Sequence, residues 1–417
     1  MRVGEYSRLL RTNRNVRRLW LAQLISEMGD WLYSVSLFSL ILQKTGSARM
    51  IAFAFILQVL PQTVIAPAAG VLHDRLSRKQ LMIIADWARA VVVFCMLFAQ
   101  APGMTWLIYV LLFLETLFWA LFEPGRSAVI PNIVEKQEDA LVANALSSVT
   151  WSVSLSLGSG LGGLIAAALG RDAVFVINSL SFIVSALLIR SMHFYEPHME
   201  HAPPLRWRDL ANFSPIAEGV TYVRKDARRT ATIFVKAGTA LLGANWIILP
   251  IYGERIFRVG SDPESAGLLG MSLLYCSRGI GAMIGPLTAG RWSGYDEKRQ
   301  QLGIAFGFAL ASAGYITVSW APHIAIACLA VAMGHCGGSI AWVFSTTLLQ
   351  RYTDDKFRGR VFSAEFAFLM GMLSVVAFIG GSLVDAGLPV RTLALGVGIL
   401  LLVPGTIWFM AQRVFPR

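Results

Sequence analysis

The stretch "PAAGVLHDRLSRKQ", Pro67 to Gln80, separates two long apolar runs. Within it, Asp74 is the one carboxylate among three cations, Arg75, Arg78 and Lys79. The runs on either side suit lipid, because about 20 apolar helical residues cross a hydrocarbon core about 30 Å thick. Similar runs recur along all 417 residues, 55% of which are hydrophobic and only 15% charged. Soluble chains carry roughly 25% charge. Lipid offers the backbone no hydrogen bonds, so a span is either a helix or part of a closed barrel. Strict alternation of polar and apolar residues is absent, and the runs are too long for barrel strands. These observations predict an all-α membrane protein with twelve transmembrane helices. The expected spans lie near 17–42, 49–73, 80–100, 104–126, 138–168, 172–191, 229–253, 264–290, 300–320, 323–350, 358–385 and 389–411.

An even number of spans puts both termini on one side of the membrane. With that side cytoplasmic, 27 of the 36 Lys and Arg residues fall inside, six fall outside and three lie within spans. This bias follows the excess of Lys and Arg in cytoplasmic loops and predicts cytoplasmic termini. The net charge of +11 then reflects basic loops facing anionic membrane lipids and does not call for nucleic acid. The basic stretch "RLLRTNRNVRR" precedes a long span without a small-residue cleavage site, which points to a retained first helix. Cys95, Cys276, Cys328 and Cys336 all fall inside expected spans and read as small buried hydrophobes, not as disulfides or metal ligands.

The sequence repeats at a shift of about 218 residues. "GLGG" at 160–163 has a counterpart in "IGG" at 379–381, aligning Gly162 and Gly163 with Gly380 and Gly381. The opening stretch has a counterpart in "PLTAGRWSGYDEKRQ", Pro286 to Gln300, with equal spacing from proline to lysine. The expected organisation is two pseudo-symmetric six-helix halves, 1–191 and 229–417, joined by a cytoplasmic linker at 192–228. Such repeats suit an alternating-access carrier with its site near mid-membrane between the halves. In the linker, "LRWRDLANFSPIAEGVTYVRKD" from Leu205 to Asp226 reads as a surface-lying amphipathic helix broken near Pro215. His193, His198 and His201 with Glu196 and Glu200 read as a solvated segment, because their spacing fits no closed metal site well.

Gly70, Asp74, Arg75, Arg78 and Lys79 match the pattern G-x-x-x-D-R-x-x-R-K, which resembles the loop between helices two and three of the major facilitator superfamily. "SEMGDWLYSVSLFSLILQKTGSA", "ADWARA", "LFEPGRSAVIPNIV", "EGVTYVRKD" and "RGRVFS" look like the transmembrane-secretion-effector branch. That branch includes exporters similar to the enterobactin exporter and macrolide efflux carriers. The resemblance covers nearly the whole chain and implies the major facilitator fold, a bacterial inner-membrane location, a small-molecule substrate, no cofactor and a monomer. It also implies that Asp74 braces a closed inner gate against span eleven near Arg358 to Ser363, whose free N–H groups favour an anion. Arg75 and Arg78 belong to the same gate, with Arg126 as a second candidate partner. Two features depart from family antiporters: "GSGLGG" in span five lacks their proline, and span four carries Glu115 where some drug antiporters carry an arginine motif.

Ionisable groups in a span are costly and usually face a cavity or a partner. Gln23, Glu27, Asp30 and Ser34 share one helical face. Two carboxylates one turn apart in poorly hydrated surroundings offer a place for protons to bind and leave, as proton coupling needs. Structural pairing and direct substrate contact are the alternatives. Asp86 and Arg89 stand three residues apart and read as an ion pair bracing the inner gate. Glu115 either faces the cavity or pairs with another helix. Lys236 and Arg278 bring positive charge to the second half, and Glu365 is placed to pair with Lys236. His335, in "GHCGGS", is either a titrating group or a packed polar contact. Trp31, Trp119, Trp151 and Trp246 read as core or as pocket lining.

The leading functional expectation is proton-driven export of a small amphipathic, siderophore-like or drug-like molecule. An importer or a lysophospholipid-flipping carrier on the same fold is the alternative. The sequence holds no H-E-x-x-H and no G-x-x-x-x-G-K-[ST], which argues against a zinc hydrolase and against ATP-driven pumping.

Overall fold

A computed structural model describes residues 3–201, 214–260, 265–294 and 296–414. The described residues form helices joined by turns, with no strand. In chain order the helices are α1 (Val3–Thr12), α2 (Arg14–Thr45), α3 (Ala48–Arg75), α4 (Arg78–Cys95), α5 (Thr105–Ile133), α6 (Gln137–Arg190) and α7 (Ser214–Val223). They continue as α8 (Ala227–Thr239), α9 (Asn245–Ile251), α10 (Ala266–Ser293), α11 (Glu297–Trp320), α12 (Ile324–Tyr352), α13 (Arg358–Asp385) and α14 (Val390–Val414).

Ten helical segments are long and apolar enough to cross a membrane. One of them contains all of α6 but its first residue. At Gly170 its backbone turns to φ 83° and ψ 166°, a conformation only glycine adopts freely, so α6 is two arms joined by a bend. Another runs from Ala227 to Ile256, through α8, a tight turn at Ala240–Ala244, α9 and a wide turn at Tyr252–Ile256. The 32-residue α2 carries Glu27 and Asp30 and is not among the ten.

The chain forms two compact units, one of Met1–Leu37 with Leu57–Asn212, the other of Phe38–Ile56 with Phe213–Arg417. In the first, Leu9, Val16, Leu19, Met82, Phe122, Ile130, Ile189 and Met192 share one core, drawing in α1, α2, α4, α5 and α6. Here α2 lies directly on α6: a Cβ added at Gly162 would stand 2.9 Å from the Leu32 carbonyl oxygen. This close approach is the packing that small residues permit between helices in lipid. In the second unit, α12 packs against both α10 and α11, and α14 packs against α11. The outer part of α2 and the start of α3 belong to this unit, where Phe55 stacks on Trp246 at 4.8 Å and Phe38 lies at 5.5 Å from it.

In the linker, α7 begins at Ser214, so Pro215 occupies its first turn, where a missing N–H costs nothing. The part of the expected amphipathic helix from Leu205 to Phe213 lies outside the described residues. The segment read as solvated is largely exposed, at His193, Tyr195, Pro197, Met199 and Glu200, and is anchored through Glu196. The Glu196 carboxylate accepts hydrogen bonds from the Ser77 hydroxyl at 2.6 Å and the Arg78 backbone N–H at 2.8 Å. Lys79 Nζ donates to the Met192 carbonyl at 2.5 Å. Glu196 thus satisfies free N–H groups at the start of α4, beside the Ser77 cap. Sequence reading missed this cap because its partners lie more than a hundred residues apart. The His201 side chain lies outside the described set.

Candidate functional site

The first unit places three carboxylates around one guanidinium. Arg89, on α4 and 1% exposed at its side chain, donates from Nη2 to Asp30 Oδ2 of α2 at 2.7 Å. Its Nε and Nη2 both reach Glu115 Oε1 of α5, at 3.0 and 2.9 Å. Asp86, one turn back on α4, stands 3.7 Å from Nη1, and its other oxygen accepts from the Ser185 hydroxyl at 2.5 Å. The Phe182 ring, on the second arm of α6, covers the guanidinium at 4.0 Å. Three helices therefore aim acids at one arginine. If all three were ionised, the group would carry two net negative charges in surroundings that penalise charge.

The structure brings together residues that the sequence reading had divided. In sequence, Asp86 and Arg89 read as an ion pair bracing the inner gate, Asp30 as a proton site, a structural partner or a substrate contact, and Glu115 as facing the cavity or pairing with another helix; all four share this cluster. Helical periodicity shows which residues of one helix share a face, but not which faces of α2, α4, α5 and α6 meet.

Glu27, one turn before Asp30, joins a different network. Its Oε1 accepts from Gln23 Nε2 at 2.8 Å, and Gln23 Oε1 accepts from Arg126 Nη1 at 3.2 Å and from the Ser147 hydroxyl at 2.8 Å. Arg126 pairs with Glu123, three residues earlier on α5. Glu123 was missed, although its spacing to Arg126 is a legible pairing signal. Glu27 Oε2 is buried without a hydrogen-bond partner among the described residues.

The second unit holds a balanced pair. Lys236 Nζ of α8 stands 3.5 Å from Glu365 Oε1 of α13, the partner anticipated from the sequence. The ammonium also donates to the Thr346 hydroxyl at 2.8 Å and the Trp342 carbonyl at 3.2 Å, and lies 3.7 Å from the Trp342 ring centroid. Arg278 of α10 lies over the Trp246 ring at 4.5 Å, and Tyr275 stands 5.8 Å from Trp246. The buried His335 has its Nε2 3.1 Å from the Tyr315 hydroxyl. Trp31 and Trp151 meet edge to face at 5.9 Å in the first unit.

At the end of α3, the Asp74 side chain is 75% exposed and faces Arg78 at 4.0 Å. Arg78 also donates to the carbonyls of Ala128 and His73, at 3.0 and 3.3 Å, and Arg75 is the last residue of α3. His73 Nε2 lies 2.6 Å from the Leu121 carbonyl oxygen, which seats the end of α3 on α5.

Buried ion clusters on long apolar helices are features of a membrane carrier, and the comparisons name the family. A family model described as Major Facilitator Superfamily matches residues 19–370. The chain belongs to the major facilitator superfamily. It is an all-α, multi-pass membrane protein, and its family moves small molecules across membranes. Its relatives are transporters, not enzymes. Macrolide efflux protein A of Streptococcus pyogenes is 25% identical over 408 residues, covering 95% of this chain and 94% of the relative. Multidrug efflux pump Tap of Mycolicibacterium fortuitum is 26% identical, covering 91% and 92%. An uncharacterized MFS-type transporter of Bacillus subtilis, YkuC, is 24% identical, covering 96% and 92%. Among solved structures, the nucleoside transporter NupG superposes with a TM-score of 0.71 at 12% identity, covering 96% of this chain and 100% of that one. A peptide transporter POT in complex with sulfate gives 0.73 at 15% identity, covering 96% and 95%. At such identities these two likenesses speak for the fold alone.

Proposed function

We propose that this carrier exports a small amphipathic or drug-like molecule in exchange for protons, by alternating access in the bacterial inner membrane. The observation that carries the reading is the excess of carboxylate around Arg89. A buried group of three acids and one cation reaches neutrality by holding protons, and releasing them restores charge that Arg89, a cation substrate or water must answer. Asp30, at 25% the most exposed of the three acids, is the point of proton entry. Glu27, with its unpartnered oxygen, is a second station one turn away. Glu115 and Asp86 hold Arg89 in place.

In the second unit, Lys236 with Glu365 and Arg278 with Trp246 supply cationic and aromatic groups for the substrate. Relatives named for macrolide and multidrug efflux support export. Twelve crossings, with the two arms of α6 counted separately and α2 included, put both termini in the cytoplasm, as the Lys and Arg bias favours. Asp74, with Arg75 and Arg78, latches the inner gate when it closes.

Proteoliposomes test the coupling. An imposed proton gradient is expected to drive accumulation of a macrolide or an amphiphilic fluorescent dye in the wild type and to fail in Asp30→Asn. Gradient-driven accumulation unchanged in both Asp30→Asn and Glu27→Gln would overturn the proton assignment. Accumulation only in vesicles of the right-side-out orientation would favour import.

A further inference from the structure

Two stretches singled out in the sequence, "EGVTYVRKD" and "RGRVFS", lie outside the clusters described above, and within the second unit they meet. Helix α7 lies on the start of α13. A Cβ added at Gly219 would overlap the Arg360 carbonyl oxygen and stand 3.2 Å from Ala364 Cβ. Glycine inside a helix is unfavourable, and here it admits the backbone of α13. Glu218 and Arg360 form an ion pair at 2.9 Å, with both side chains about half exposed. The Tyr222 ring stacks on Phe357 at 4.1 Å, and its hydroxyl donates to Asp354 Oδ2 at 2.9 Å. Val223 is buried with Leu349 of α12 and Val361 of α13.

The same helix leads into α8, with only Arg224, Lys225 and Asp226 between them. Asp226 caps α8, accepting from the Arg228 and Arg229 N–H groups at 2.8 and 3.1 Å. Arg229 stands 4.0 Å from the Tyr222 ring centroid and donates to the carbonyl of Tyr352, the last residue of α12, at 2.7 Å. Helix α7 therefore ties together α8, α12 and α13. These three helices supply Lys236, its acceptors Trp342 and Thr346, and Glu365. Arg360 and Glu365 lie five residues apart on α13, about 7.5 Å along one helix. A shift of α13 where α7 seats is carried along that helix to the Glu365 carboxylate.

We propose that α7 is a positioning element for the buried Lys236–Glu365 pair, with Gly219 and Tyr222 as its positioning residues. Seated on α13, it sets the separation of the two charges; unseated, it releases the Lys236 ammonium. The pair is the one given a substrate role above, but its placement by α7 depends on neither the substrate nor the coupling ion.

Acylation of Lys236 tests this in the full-length carrier. The protein in detergent is treated with the N-hydroxysuccinimide ester of acetic acid, and modified lysines are quantified by peptide mass spectrometry. The Lys236 side chain, 2% exposed and held by Glu365, Thr346 and Trp342, is expected to react slowly. The exposed Lys298 sets the reference rate. Gly219→Val and Tyr222→Ala are each expected to raise Lys236 acylation by about fivefold or more relative to Lys298, as strained or lost packing does. Tyr222→Phe keeps the ring on Phe357 and is expected to raise it less than Tyr222→Ala. In a Glu365→Gln background the same variants are expected to add less than about twofold, because the pair they act through is gone. Tyr222→Ala adds no atoms and carries the test where Gly219→Val does not fold. Lys236 acylation unchanged by Gly219→Val and Tyr222→Ala would overturn the proposal, as would an equal rise in the Glu365→Gln background. A parallel rise at Lys79, in the first unit, would also overturn it, since general loosening and not α7 would then govern the pair. No proton gradient or substrate enters the assay, so its failure is distinct from failure of the coupling experiment.

Discussion

The two units answer the same problem, charge inside a membrane, in opposite ways. Around Arg89, three carboxylates from three helices converge on one cation. Around Lys236, one carboxylate faces one cation, and a hydroxyl, a carbonyl and a ring supply the remaining partners. A balanced pair is at rest, and little changes if protons come and go elsewhere. An acid-rich cluster has a charge deficit that only a proton, a cation or a rearrangement fills.

The largest expected effect breaks the comparison at its centre. Arg89→Met leaves three buried acids without their cation and is expected to cost about 3–5 kcal/mol, as loss of one partner from a buried pair does. Thermal unfolding in detergent would measure it. If melting barely changes, the arginine is not what holds the acids.

Lys236→Met is expected to cost a similar amount, but here balance offers a rescue. Lys236→Met combined with Glu365→Gln removes both charges and is expected to recover most of the loss, to within about 1–2 kcal/mol of wild type. A double variant no better than the single one would show that the pair is not self-contained.

Asp86→Asn sharpens the other side. It removes one of three acids, keeps an acceptor for Ser185, and is expected to leave stability unchanged or raise it by up to about 1 kcal/mol. A loss above about 2 kcal/mol would mean that all three acids are needed as charges. A modest effect is expected outside the clusters. Glu196→Ala, which removes a cap from α4, is expected to cost about 0.5–2 kcal/mol without altering the response to a proton gradient.

How much of this was legible beforehand differs from residue to residue. The Lys236–Glu365 pair was anticipated because each is a lone ionisable group in its apolar stretch and needs a partner. Asp30, Asp86, Arg89 and Glu115 were each singled out, but not as one cluster, because their convergence depends on how α2, α4, α5 and the second arm of α6 pack. The Glu196 cap was invisible. It is a bond between a carboxylate and helix-start N–H groups far away in sequence, and any acid near a helix end looks alike until the chain is folded.

By itself the sequence determined that this is a helical membrane protein, because lipid thickness and backbone hydrogen bonding leave few other uses for such apolar runs. It also determined the family, through the residues around Asp74. Only the tertiary structure decided which buried charges share a site and which acids seat at foreign helix ends. Those choices turn on how whole helices are rotated and stacked, and contacts across such distances leave no periodic trace in the chain.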